Sequence, residues 1–98
     1  MKYLLLIAFA ILVGCATTDH AAYQAARSLD SVEAYDAFLA KYPGTSWRES
    51  AIYYRDRAAL KAARDARDID AIKSFIQKYP KSDWLPQAEY YLKYGFRD

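Results

Sequence analysis

The side chains able to do covalent or acid–base work are few: one thiol, Cys15, one imidazole, His20, and the hydroxyls of Ser28, Ser31, Ser46, Ser50, Ser74 and Ser82. A single Cys permits no disulfide within the chain and, beside a single His, supplies no ligand set for a transition metal. None of the serines stands in a Gly-x-Ser-x-Gly setting or beside a second base, so they read as helix caps and surface groups. Three glycines, Gly14, Gly44 and Gly95, make no loop able to cradle a phosphate. Glu49, Asp56, Asp68 and Asp70 could serve glycoside chemistry, which needs only two placed acids, but nothing in their spacing singles out a pair. They read as caps and solvated face, and His20 as a solvated linker residue. The expectation is a protein that is not an enzyme and has no metal or cofactor.

Two sets of side chains suit recognition instead. Trp47, Tyr53, Tyr54, Trp84, Tyr90, Tyr91 and Tyr94 supply rings that stack on sugars or anchor a peptide. Trp47, Tyr54, Trp84 and Tyr91 follow an apolar helical spacing and belong to a core. Tyr53 and Tyr90 lie one residue, about 100° of helix, off that line, which leaves core and contact surface both open for them. The second set is the basic series Arg48, Arg55, Arg57, Lys61, Arg64 and Arg67, broken by Asp56 and Asp65. Such a series ordinarily forms a solvated face with local ion pairs, and an acidic partner or lipid headgroup is the alternative. Tyr53, Tyr90, Arg48 and Arg55 are the candidate partner-binding residues. The formal charge of +2 gives no support to a nucleic-acid partner.

Those residues must be positioned by a chain of 98 residues, enough for one domain. Its start has a different character from the rest. A positive opening, Met1-Lys2-Tyr3, precedes the ten-residue apolar stretch from Leu4 to Val13 and the small residues Gly14-Cys15-Ala16. That is the layout of a secretory signal peptide, and it falls short of the roughly 20 residues that a membrane-spanning helix needs. Leu12-Val13-Gly14-Cys15 resembles the lipobox of bacterial lipoproteins. The resemblance implies a diacylglyceryl group on the Cys15 thiol, removal of residues 1–14 as a lipoprotein signal peptide, and acylation, such as by palmitate, of the new amino terminus. Residues 15–19 are then the lipidated terminus and linker. Ala16, where an inner-membrane retention signal would place Asp, implies the periplasmic face of the outer membrane. Attachment by several acyl chains is effectively permanent.

The remainder, residues 20–98, is internally similar. Residues 21–57 laid over 58–94, an offset of 37, give fourteen identities, including Phe38/Phe75, Lys41/Lys78, Tyr42/Tyr79, Pro43/Pro80, Trp47/Trp84 and Ala51/Ala88. That is several times what so Ala-rich a composition gives by chance, and it marks stacked units. Val32, Tyr35, Phe38, Leu39 and Tyr42 fall on one helical face, as do Ile69, Ile72, Phe75, Ile76 and Tyr79. Pro43 and Pro80 stop both short helices. Ser46 with Glu49 reads as a capping box for the next helix, Ser82 as a cap in the second unit, and Asp30 with Glu33, and Asp68, as caps for the short helices. The spacing predicts an all-α fold: a short helical-repeat solenoid with a 37-residue period and about five helices, near 20–28, 31–41, 46–65, 69–78 and 83–94.

The segments Phe38-Leu39-Ala40-Lys41-Tyr42-Pro43-Gly44-Thr45 and Phe75-Ile76-Gln77-Lys78-Tyr79-Pro80-Lys81-Ser82 are similar to the tetratricopeptide-like repeats of outer-membrane lipoproteins. Relatives by motif serve the β-barrel assembly machine and the Tol-Pal system. This chain departs from them in period, 37 residues against about 34 in the standard unit, and in having only about two and a half units. The resemblance implies a lipid-anchored scaffold that holds a peptide or protein partner of the cell envelope in a groove between helices. Binding of peptidoglycan or lipopolysaccharide through exposed Tyr rings is the alternative. An array this short should leave the end face at helix 83–94 partly uncovered, which favours self-association.

Overall fold

The computed structural model describes residues 18–96, and among them the chain is helical without a strand. Five helices follow in order: α1 (Asp19–Leu29), α2 (Val32–Lys41), α3 (Arg48–Ala66), α4 (Ile69–Lys78) and α5 (Leu85–Tyr94). The signal-peptide segment and Cys15 lie outside the described residues. No described helix is long and apolar enough to cross a membrane.

Local chemistry sets the helix ends. Thr18 opens α1 by accepting from the Ala21 N–H at 3.2 Å, with Asp19 adding negative charge to the first turn. His20 is therefore part of a helix and not of a linker. Asp68 caps α4 as expected, its Oδ1 accepting from the N–H groups of Asp70 and Ala71 at 2.9 and 3.3 Å. Asp30 does not cap α2; Ser31 does, accepting from the Ala34 N–H at 3.1 Å. Asp30 instead adopts a left-handed conformation (φ 50°) at the end of α1, and Arg67 does the same (φ 52°) at the end of α3. The Ser46–Glu49 capping box does not form either. The Thr45 hydroxyl takes the turn, accepting from the Trp47 N–H at 3.1 Å and donating to Asp19 Oδ2 at 2.9 Å. Ser46 stays exposed, and α3 begins two residues later than its sequence pattern suggests. Ser82 accepts from the Trp84 N–H at 3.1 Å in the corresponding turn, and α5 follows with Pro86 in its first turn, where a missing N–H costs nothing.

Two cores form side by side. Tyr23, Ala26, Tyr35, Phe38, Leu39 and Ala51 bury together where α1 and α2 meet the start of α3. Leu60, Ala63, Ile72, Phe75, Ala88 and Tyr91 do so where the rest of α3 meets α4 and α5. Five of the six positions in each cluster coincide at the 37-residue offset: 23/60, 26/63, 35/72, 38/75 and 51/88. The backbone agrees, since Tyr42 and Tyr79 close α2 and α4 at φ/ψ of −124°/66° and −125°/65°. Helix α3, 19 residues and about 28 Å long, contributes to both cores and joins them. Each buried Phe is worth about 1.5–3 kcal/mol relative to exposure.

The end of the second core is partly closed by the chain itself. Gly95 (φ 79°) turns the backbone in a way a side chain would strain, and Phe96 returns to pack on Tyr91 with ring centroids 5.6 Å apart. Arg67 Nη1 holds this return by donating to the Phe96 carbonyl at 3.0 Å. Tyr90, Leu92 and Tyr94 remain 40–49% exposed on α5.

Candidate binding grooves

Alanines at every third or fourth position make α1 and the second half of α3 thin on one side, so neighbouring side chains cannot fill the space above them. Two open grooves result. The first lies between α1 and α2, and the second between α3 and α4. They are lined by equivalent residues: Ala22/Ala59, Ala25/Ala62, Ala26/Ala63, Ala34/Ala71, Phe38/Phe75 and Tyr42/Tyr79 recur at the 37-residue offset. Lys41 and Lys78 sit at corresponding ends. The second groove is the larger, about 610 Å³ against about 280 Å³. Two differences explain this: Ala66 stands where the first groove has Leu29, and Val32 and Glu33 of α2 extend the second groove's wall. Leu29 is 73% exposed.

The polar groups beside the cores are mostly engaged. Arg27 of α1 places its guanidinium 3.5 Å from the Tyr54 ring centroid and donates to the Tyr35 hydroxyl at 3.1 Å. Tyr35 in turn donates to Asp30 Oδ1 at 2.6 Å. Burial first, and then the hydrogen bond to Asp30, push the Tyr35 hydroxyl above the ordinary tyrosine range, with Arg27 acting against them. The bond to Tyr35 raises Arg27 in turn. On the surface of α3, Lys61 and then Arg64 hold the Asp65 carboxyl below its usual range.

Among the candidate partner-binding residues, Tyr53 is 38% exposed, with its ring tilted 46° to Trp84 at 5.2 Å while its carbonyl accepts from Trp84 Nε1 at 3.2 Å. Tyr90 is 42% exposed and packs against Tyr94 at 4.8 Å. Arg48 is exposed at the start of α3. Arg55 is largely committed inside the molecule: it pairs with Asp36 of α2 at 3.3 Å and with buried Asp56 at 3.1 Å, and lies 4.7 Å from the Tyr79 ring centroid. The structure does not bring these four together with the grooves, which none of them lines. Cys15 lies outside the described residues. His20, read as solvated linker, stacks on Trp47 with centroids 4.8 Å apart and planes 18° apart, and Tyr23 stacks on the same indole at 4.9 Å.

The sequence reading expected a groove between helices but took the alanines that line it as close-packing residues. The recurrence of Ala22, Ala25 and Ala26 as Ala59, Ala62 and Ala63 is the trace of that lining in the sequence. Among the described residues no cluster of His, Cys, Asp or Glu is arranged to hold a metal ion. Comparison with protein-family models, with curated proteins and with solved structures finds no match to this chain.

Proposed function

We propose that this protein is a lipid-anchored scaffold of the bacterial envelope, a short tetratricopeptide-like array that holds a peptide or protein partner in the grooves between its helices. The observation that carries this reading is the groove that occurs twice, lined by the same residue types at the same 37-residue spacing. A surface of Ala methyls and Phe and Tyr edges gains free energy by covering apolar side chains, and a helix or strand of a partner lies readily in such a trough. The Cys15 anchor, inferred from the sequence, places the array at the periplasmic face of the outer membrane and raises the local concentration of partners there. With exposed Tyr90, Leu92 and Tyr94 on α5, a second copy is one partner available to it.

The test is affinity capture of the tagged protein after crosslinking in cells, compared with Cys15→Ser. One dominant protein partner, lost when Cys15→Ser releases the protein from the membrane fraction, is the expected result; no protein adduct overturns the reading. A second reading has an observation of its own. Tyr90 and Tyr94 form an exposed ring pair, the kind of surface on which sugar rings stack. Cosedimentation with purified sacculi that Tyr90→Ala abolishes, with helicity intact, would favour glycan binding.

A further inference from the structure

The two grooves share an apolar floor and differ in charge. The first is lined by no carboxylate. The second has Glu33, Asp68 and Asp70 at one end and Lys78 at the other. Asp68 is occupied with the first turn of α4, but neither Glu33 nor Asp70 makes an ion pair among the described residues. The two face the same open space from different helices, α2 and α4. Two carboxylates outside any ion pair, next to an apolar trough, are complementary to a cation carried beside apolar side chains. Asp70 and Lys78 are eight residues apart on α4, about 12 Å, which an extended peptide covers in about four residues.

Resting on the scaffold reading above, we propose that the α3–α4 groove is the specific site of the molecule. Its occupant is a protein segment that presents a Lys or Arg to Glu33 and Asp70 and lays about three large apolar residues over Ala62, Ala63 and Phe75. The α1–α2 groove, narrowed by Leu29 and without carboxylates, does not select for the basic residue. Charge thus sets the direction of the bound segment, its basic end at the start of α4 and its other end at Lys78.

A library of random dodecapeptides displayed on phage, panned against the full lipidated protein in nanodiscs, tests this directly. Selected peptides should carry Lys or Arg next to large apolar residues. Their affinity should fall at least tenfold in Glu33→Lys/Asp70→Lys, whose positions are exposed and whose fold can be checked by circular dichroism, and be lost in Ala62→Trp, which fills the groove. Absence of selected peptides, peptides without the basic–apolar pattern, or affinity unchanged in the charge-reversed protein overturns the proposal. Repeating the in-cell capture with Glu33→Lys/Asp70→Lys separates the two levels. A partner retained at full yield sinks the groove assignment and leaves the scaffold standing; no partner in the unmodified protein removes both.

Discussion

The hydroxyl of Tyr35 donates to Asp30 Oδ1 at 2.6 Å, and 37 residues later both partners have changed together, to Ile72 and Arg67. The ring of Tyr35 and the side chain of Ile72 are both fully buried, but only Tyr35 brings a polar atom that must be satisfied. Asp30 is half-exposed at the end of α1, close enough to supply the acceptor, and where no hydroxyl needs it the position turns to Arg67, which ties down Phe96 instead. Tyr35→Phe should cost about 1–2 kcal/mol in chemical denaturation, the worth of a hydrogen bond to a partly solvated carboxylate. Asp30→Ala should cost no less, because it strands the hydroxyl. A cycle with both substitutions should show coupling; strict additivity would mean the bond contributes nothing.

The same hydroxyl sets a pH dependence. Because folding raises its pKa above the ordinary value of 10.0, the native state holds the proton more tightly than the unfolded chain does. Stability from this group is therefore complete below pH 10 and is lost as pH rises through the folded value. Tyr35→Phe should flatten the alkaline limb of a stability-against-pH curve; an unchanged limb in the variant contradicts the assignment.

Arg55 holds the two halves together. Its guanidinium bridges Asp36 and buried Asp56 and lies by Tyr79, so its removal leaves a carboxylate 3% exposed without its counter-charge. Arg55→Ala should cost about 3 kcal/mol, the lower range for breaking a buried pair, and Arg55→Ala with Asp56→Ala should recover part of it. Loss of partner capture in Arg55→Ala without loss of stability would instead make Arg55 a contact residue.

His20 and Tyr23 both stack on Trp47. His20→Ala should cost about 0.5–1 kcal/mol, as an aromatic pair at an exposed site does, and shift the Trp47 fluorescence toward that of a solvated indole. The variant Trp84→Phe keeps Trp47 as the only indole reporter, and an unaltered spectrum in it would show that the stack does not persist in solution.

The helices were legible because their signals are local. Pro43 and Pro80 stop α2 and α4, and the 3.6-residue spacing of Phe38, Phe75 and their neighbours marks the buried faces. The off-line position of Tyr53 and Tyr90 left core and surface both open, and the structure has both rings partly exposed. What sequence reasoning missed depends on distant partners. Ser46-x-x-Glu49 is a proper capping signature, but Thr45 takes the turn one residue earlier, as Ser82 does in the second unit, and Thr45 also donates to Asp19, 26 residues away. Asp56 looked like solvated face, yet the packing around Arg55 buries it. A groove between helices was expected, but its Ala lining was not, since an Ala stripe becomes a groove wall only when the facing helix leaves it open.

We infer that a partner sits in the α3–α4 groove. A photoreactive amino acid placed at Ala62, inside that groove, and at Lys73, exposed on α4 but outside it, addresses this in cells with the full-length protein. We predict a single protein adduct of defined mass from Ala62 and none from Lys73. Equal adducts from both positions, or none from Ala62, would contradict it.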